Sequence, residues 1–375
     1  MKKLPLQFEN GTHLRIREER FAQTCEELEE FLDGQKHLHT KAFARDVMFS
    51  HELKANNQIE GYTDDVTIVR EFIENWRQRH YQQLGKRVLN LYHGYNYILK
   101  EKNINPDTVR QLYGILSKDL LESRDIQRMG EYYRTDKVYI LINGKLNGEY
   151  DHGVDANRIE EFMTAYFEFL NSLDYTSNIT EEYIKSQILH FYFVYIHPYF
   201  DVNGRTSRTL AMWHLLNTKA YPYIIFNRGI TFNGSTYDKV IMDVKKYHDI
   251  SYFIEYMLKT VQTELEKEYI MQSINNASGV QLTSEDWQTL LYILSMNGLL
   301  SVSDFTSMYN RHHDKKRAKF IYETMIDPLI QKGILNVTRT TNHYMFDEYS
   351  NEIFEINPSL LDYDRARIRN LKNYK

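Results

Sequence analysis

Cysteine is almost absent from this 375-residue chain, which contains only Cys25. A single cysteine cannot close an internal disulfide, so a disulfide-framed fold is excluded and a reducing compartment is favoured. No apolar stretch is long enough to cross a bilayer, and residues 4–9 (LPLQFE) do not form a signal-peptide core. We therefore expect a cytoplasmic protein with no membrane partner.

An excess of positive charge is also missing. The formal net charge is -5, so the molecule as a whole is not drawn to nucleic acid or anionic lipid. Only 6 prolines interrupt a chain with 30 tyrosines and 19 phenylalanines, which favours aromatic-rich helical packing. Apolar residues recur at helical spacing through most of the first 275 residues. The sequence thus predicts a mainly α-helical fold.

Length and changes of pattern predict three parts. They are an N-terminal helical region (1–85), a central helical core (86–275) and a C-terminal module (276–375). In the last part, three short helices precede two strands, predicted at 334–337 and 344–346 around a turn at 340–342. This order is typical of a winged-helix-like α+β module.

The C-terminal module also carries a cluster of basic residues near the start of its third predicted helix. In a DNA-binding winged helix, that helix enters the major groove. Acidic residues nearby dilute the charge, and we favour protein contact over DNA. The basic residues are Arg311, Lys315, Lys316, Arg317 and Lys319.

The groups required for chemistry on a nucleoside triphosphate are gathered in one twelve-residue segment, HPYFDVNGRTSR. His197 can act as a general base, and the Asp201 carboxylate can hold Mg²⁺ together with phosphate oxygens. Gly204 stands at a predicted helix start, where free N–H groups favour anions. Arg205 and Arg208 share a helix face and can both reach phosphates. Singly, each feature is more often a cap, a turn or a solvated face, but their coincidence favours a functional site.

This segment resembles the active-site motif of the Fic family of nucleotidyltransferases, HPFx(D/E)GNGRxxR. Tyr199 replaces the usual phenylalanine and keeps an aromatic anchor. Val202 replaces a glycine, and because a β-branched residue resists the left-handed region, we expect a negative φ there. The matching positions are His197, Pro198, Asp201, Asn203, Gly204, Arg205 and Arg208.

The resemblance implies a Fic-type helical core with a β-hairpin flap, acting as a protein adenylyltransferase with ATP as substrate and Mg²⁺ as cofactor. His197 would take the proton from a Ser, Thr or Tyr hydroxyl, and Asp201 would hold Mg²⁺. Tyr237 would lie near the adenine, where base stacking and plain packing are equally open. The phosphates would be bound by Val202, Asn203, Gly204, Arg205 and Arg208.

A segment near 130–150 resembles the flap that clamps the target by strand addition in this family. Val138, Tyr139 and Ile140 lie on its first strand, and Asn143-Gly144 is a strong hairpin-turn signal. A plain surface hairpin is the alternative.

Residues 56–61 resemble the family's inhibitory motif, (S/T)xxxE(G/N), with Asn56 in the Ser/Thr position. The resemblance implies that Glu60 pairs with Arg208 and takes the place of the γ-phosphate. The alternative is an ordinary helix C-terminus at Glu60.

We therefore expect an auto-inhibited adenylyltransferase that modifies a target protein or itself, with homodimerisation open. One alternative is a regulatory DNA- or protein-binding molecule whose Fic core senses ATP or is degenerate. Another keeps the enzyme and changes the donor to UTP or another phosphate ester.

Overall fold

The computed structural model describes residues 1–34, 52–53, 55–59, 85–141, 150–218, 227–232, 234–279, 282–295, 299–312, 315–340 and 352–360. The chain divides into two compact units, Met1–Gln262 and Thr263–Lys375. The prediction of a mainly helical fold is confirmed, and the three-part division stays a prediction. None of the helices in the described ranges is both long and apolar enough to cross a membrane.

The first unit opens with an antiparallel hairpin of β1 (Lys2–Gln7) and β2 (His13–Ile16). A second antiparallel pair, β3 (Tyr139–Leu141) and β4 (Tyr150–His152), interrupts the helical sequence. The helices with defined bounds in the described part of this unit are α1 (Ala22–Gly34), α2 (Lys86–Lys100), α3 (Pro106–Leu116), α4 (Ser123–Gln127), α5 (Ile159–Asn171), α6 (Ile179–Ile196), α7 (Asn203–Leu216), α8 (Asn227–Phe232), α9 (Gly234–Tyr247) and α10 (Ser251–Ser278), the last of which continues into the second unit.

Helix α6 forms the centre of the first unit. Apolar and aromatic side chains lie on all sides of it, and nearly the whole helix is buried, as expected of a helix without a polar face. The side chain of Asn178 caps its start by accepting a hydrogen bond from the Glu181 amide (2.8 Å). Helices α5 and α7 pack against α6, and α2 and α3 pack against α7. The loop between α6 and α7 therefore begins and ends on buried, well-packed helices.

The second unit contains α11 (Ser284–Ser295), β5 (Leu299–Ser301), α12 (Val302–His312), α13 (Ala318–Ile321), a π-helical turn (Tyr322–Ile326), α14 (Asp327–Gln331), β6 (Leu335–Thr340) and β7 (Glu352–Ile356). The strands described in this unit form one antiparallel sheet in the order β5-β7-β6. The predicted turn at 340–342 is wrong at its first residue, because Thr340 is still in β6 and pairs with Glu352. The predicted strand 344–346 lies outside the described residues. The winged-helix interpretation stays a prediction.

Candidate active site

His197 lies at the C-terminal end of α6 and adopts a left-handed conformation, with φ 53° and ψ 59°. Its amide still donates to the carbonyl of Phe193 (3.0 Å), so the residue caps the helix. Pro198 follows and cannot continue the helical ladder, because it lacks an N–H donor. The imidazole is therefore anchored on the end of the central buried helix.

The protein around the His197 ring disfavours its charged form. The residue is half-buried, and dense packing around the ring lowers its pKa to about 3, while the charges of Lys245 and Arg134 act in the same direction. The backbone of Val194 has the opposite effect and raises the pKa slightly, although it forms no hydrogen bond of normal geometry with Nδ1. At neutral pH the ring is uncharged and able to accept a proton.

The loop after His197 is held in place by ring stacking and by the hydrogen bonds of an asparagine side chain. Tyr199 is fully buried, and its ring stacks on that of Tyr113 with centroids 3.6 Å apart. The Asn203 side chain accepts from the Tyr199 amide (3.0 Å) and donates to the Tyr199 carbonyl (2.9 Å). Both ends of the Asn203 amide are thus engaged in the loop, whereas the resemblance assigned this residue to the phosphates.

The expectation of a negative φ at Val202 is wrong. This residue is left-handed, with φ 66° and ψ 11°, at the point where the chain turns into α7. Its amide donates to the Asp201 carboxylate (2.6 Å), and its carbonyl accepts from the Thr206 hydroxyl (2.7 Å). The Val202 side chain is also buried. These contacts hold the residue in a conformation that glycine adopts more readily.

Asp201 is exposed on the same loop. Mg²⁺ is commonly held by one or two carboxylates together with substrate phosphates, and this lone carboxylate fits that mode of binding. No cluster of three or more histidine, cysteine, aspartate or glutamate side chains forms an all-protein metal site in the described part of the chain.

Arg205 and Arg208 lie on α7 behind the half-buried Gly204, and both arginine side chains are buried. Arg208 contacts the predicted inhibitory segment. Its Nε donates to Asn56 Oδ1 (2.8 Å), and Nη2 donates to the carbonyl of Asn56 (3.3 Å). Glu60 lies outside the described residues.

Asn56 has further contacts that fix its orientation. Its Nδ2 donates to the Tyr95 hydroxyl (3.2 Å) and, more distantly, to the Thr209 hydroxyl (3.5 Å). Glu52, buried on the same stretch, accepts from the amides of Asn227 (2.9 Å) and Arg228 (3.2 Å) at the start of α8. The segment is therefore tied to the core through Asn56 and Glu52. Glu52 carries no motif that could have marked it in the sequence.

Tyr237 is buried in α9, and its hydroxyl is hydrogen bonded to Nε2 of His190 (2.9 Å). Nδ1 of His190 is bonded to the side-chain oxygen of Gln187 (3.1 Å). Burial, followed by the charge of Arg208, lowers the pKa of His190 to about 3. This geometry favours the packing alternative for Tyr237 over stacking on a base.

The described strands of the flap pair in the register Tyr139 to His152 and Ile140 to Asp151. Val138 directly precedes β3, and the Tyr139 side chain is 61% exposed. Pairing in the described residues leaves one edge of β3 without a strand partner. The predicted Asn143-Gly144 turn lies outside the described residues.

Arg134 is a site residue that the sequence analysis missed. It is buried and donates from Nε to the carbonyl of His197 (2.8 Å). Its only mark in the sequence is its place in the flap-like segment at 130–150, ahead of β3, and nothing there indicates a contact 63 residues further on.

A sequence model of the Fic/DOC family matches residues 103–215. Residues 103–215 are thus similar to the Fic/DOC family. The matched stretch runs from just before α3 to the last turn of α7 and includes both flap strands and the whole loop from His197 to Asn203.

Solved Fic structures share this fold. A Fic family protein from Desulfovibrio desulfuricans superposes with a TM-score of 0.56 at 17% identity, covering 90% of this chain and 95% of that chain. Fic-1 from C. elegans, in a single-substitution form, has a TM-score of 0.51 at 16% identity, covering 66% of this chain and 71% of that chain. Without the substitution, Fic-1 has a TM-score of 0.50 over the same coverage. The mainly helical Fic-type fold is thus confirmed.

Proposed function

We propose that this protein transfers AMP from ATP to a hydroxyl side chain of a target protein or of itself. The observation that carries the proposal is the loop from His197 to Asn203. It joins an uncharged imidazole to the start of α7, the helix that bears the buried Arg205 and Arg208. The imidazole that can accept a proton and the arginines that can bind phosphate therefore lie at the two ends of one short loop.

In the proposed reaction the target oxygen attacks the α-phosphorus while its proton passes to the imidazole of His197. The bond from the α-phosphorus to the bridging oxygen breaks, and pyrophosphate leaves. Phosphate charge beside the ring would raise the pKa of His197 from its ligand-free value towards neutrality, which makes the ring a better proton acceptor. The N–H groups at the start of a helix suit phosphate oxygens, and Gly204 lies in the first turn of α7.

Asp201 would hold Mg²⁺, which when bound neutralises part of the triphosphate charge. Val202 and Asn203 would act mainly by keeping the loop in shape, because their polar groups are engaged within it. Arg208 would meet the distal phosphate once its contact with Asn56 is released.

The target segment would pair with β3 along Val138, Tyr139 and Ile140. Strand addition depends on main-chain hydrogen bonds and makes little demand on the target's sequence. The exposed Tyr139 ring offers an apolar contact beside that edge.

Inhibition would work by competition for Arg208. A guanidinium that already donates to Asn56 through two nitrogens is not available to a phosphate in the same geometry. We propose that Glu60, four residues on, strengthens this competition.

Intact mass after incubation with Mg-ATP tests the proposal, using wild type, Glu60→Gly and Glu60→Gly combined with His197→Ala. We expect the mass of one or more AMP groups to be added to Glu60→Gly, less to wild type and none to the combined variant. Replacing an exposed histidine of α2, His93→Ala, in the Glu60→Gly background is the matched control and should leave the gain intact. Mg-UTP in parallel identifies the donor. Binding of ATP without any gain in mass, on itself or on added protein, would favour the ATP-sensing alternative.

A further inference from the structure

The Arg134 side chain donates hydrogen bonds to three separate carbonyl groups of the backbone. Beyond its bond to the carbonyl of His197, it donates from Nη1 to the carbonyl of Asp136 (2.6 Å) and from Nη2 to the carbonyl of Val154. Its own amide donates to the carbonyl of Pro198 (2.9 Å). Asp136 lies just before β3 and Val154 just after β4, so one guanidinium joins both ends of the flap hairpin to the loop of His197.

The backbone after β4 lies directly against His197. The Val154 amide donates to the carbonyl of Ile196 (3.1 Å). A Cβ at Gly153 would lie 2.6 Å from Cβ of His197, 2.7 Å from Nη2 of Arg134 and 2.9 Å from the Ile196 carbonyl oxygen. No methyl group fits there without moving the histidine or the arginine.

The conformation at His197 needs such support. A left-handed residue other than glycine is disfavoured by its own Cβ, and the residue after it is a proline that cannot donate a stabilising hydrogen bond. The carbonyl of His197 instead accepts from a buried cation, and such charge-assisted bonds are the stronger kind. Burial lowers the pKa of Arg134 to about 10, so the side chain remains charged at neutral pH.

We propose that Arg134 is a positioning residue, which fixes His197 in its left-handed conformation and couples the flap to it, with Gly153 providing the space. This inference rests on the proposed AMP transfer. A target strand docked on β3 and the imidazole that accepts its proton would then share one rigid support. Arg134 itself would touch neither the nucleotide nor the target.

The test compares Arg134→Met, Arg134→Lys and Gly153→Ala, each in the Glu60→Gly background. We expect kcat for AMP transfer to fall about a hundredfold in Arg134→Met and Gly153→Ala, since displacing a reacting group by about 1 Å can cost that much. The KM for ATP should not change, because the groups proposed to bind phosphate are on α7. Arg134→Lys, with a single nitrogen, should recover stability but little of kcat. Arg124→Met is the matched control and should keep its kcat, because the Arg124 side chain is largely exposed on α4 and its ion pair is with Asp125.

Hydrogen exchange supplies a readout that does not depend on activity. In Arg134→Met the amide of Val154 should exchange faster, while amides of α2 keep their protection. Unchanged kcat together with unchanged exchange at Val154 would overturn the proposal, and so would a rise in KM for ATP as large as the fall in kcat.

If α2 also loses protection, the Met variant has unfolded, and Arg134→Lys and Gly153→Ala decide by the same criteria. If the Glu60→Gly reference transfers no AMP, the proposed function is wrong, and the exchange at Val154 alone decides whether Arg134 holds this backbone.

Discussion

Replacing Asn56 tests the proposed inhibition by the N-terminal segment separately from the proposed catalysis by the loop. Asn56→Ala removes the 2.8 Å hydrogen bond from Arg208 Nε and the contacts with Tyr95 and Thr209, and keeps the bond to the backbone carbonyl of residue 56. A hydrogen bond to a charged group contributes about 1.5–3 kcal/mol. Since about 1.4 kcal/mol is a factor of ten, the fraction of molecules with Arg208 released should rise about ten- to hundredfold.

Asn56→Asp tests the same contact by strengthening it, so the expected change in rate is opposite to that of Asn56→Ala. The substitution places a carboxylate at hydrogen-bond distance from a buried guanidinium, and such pairs are stronger than neutral ones. We therefore expect AMP transfer to be faster than wild type in Asn56→Ala and slower in Asn56→Asp. The initial rate of AMP incorporation, followed by intact mass at an ATP concentration below KM, measures both.

Gln58→Ala is the control, because residue 58 is a half-buried position of the same segment. Its rate should equal that of wild type. Equal rates for Asn56→Ala, Asn56→Asp and wild type would refute the competition for Arg208. A loss of transfer in Asn56→Ala at unchanged thermal stability would indicate instead that the segment supports the active conformation.

The loop and its neighbouring helices provide three further tests. A left-handed conformation costs an L residue about 1–2 kcal/mol, so Val202→Gly should resist urea better than Val202→Ala. In the control, Ala211→Gly in α7 should lower the free energy of unfolding by about 0.5–1 kcal/mol. If Val202→Ala is instead the more stable of the two variants at position 202, the backbone there is not strained. The Tyr199 hydroxyl is buried with no hydrogen-bond partner among the described residues, so Tyr199→Phe should keep or raise the free energy of unfolding, and a loss above about 1 kcal/mol would contradict this. The depressed pKa of His190 means that the unfolded chain binds a proton from about pH 6.5 downwards and the folded chain only near pH 3. Its contribution to stability is therefore complete above pH 6.5 and is lost on acidification, by about 2 kcal/mol between pH 7 and 5. Urea midpoints at the two pH values should show a smaller loss in His190→Gln, and equal losses would contradict the assignment.

Local signals in the sequence located the loop of the site. Proline after His197 and glycine at 204 mark where one helix ends and the next begins, and the structure has α6 ending at Ile196 and α7 starting at Asn203. Such signals depend only on neighbouring residues, so a single sequence reveals them.

Other local signals were present and were overlooked. In β1, exposed and buried residues alternate, with Leu4 and Leu6 in the core, and a period of two is the signature of a half-buried strand. The predicted wing-like turn at 340–342 is wrong at its first residue. The strand β6 continues through Thr340, since its partner β7 extends to Glu352.

Contacts between distant segments could not be read from spacing. Asn56 and Arg208 are 152 residues apart, and the family resemblance connected Arg208 with Glu60 of the same segment but not with Asn56. Arg134 meets the carbonyl of His197 because the flap folds back onto the end of α6, and no periodicity encodes that return. Long-range pairing depends on tertiary packing, which local propensity does not determine.

The sign of φ at Val202 shows why a rule that holds for most residues failed in this loop. Two non-glycine residues, His197 and Val202, are left-handed within one short connection, and each is disfavoured by local sterics alone. Arg134 holds the first, and the contacts of Asp201 and Thr206 hold the second. The loop is therefore shaped by the scaffold before any nucleotide binds. If ATP binds as proposed, it has to displace Asn56 from Arg208 but does not have to remodel the base, because the loop is preorganised. A substitution in the N-terminal segment should then change the rate at low ATP far more than the rate at saturation.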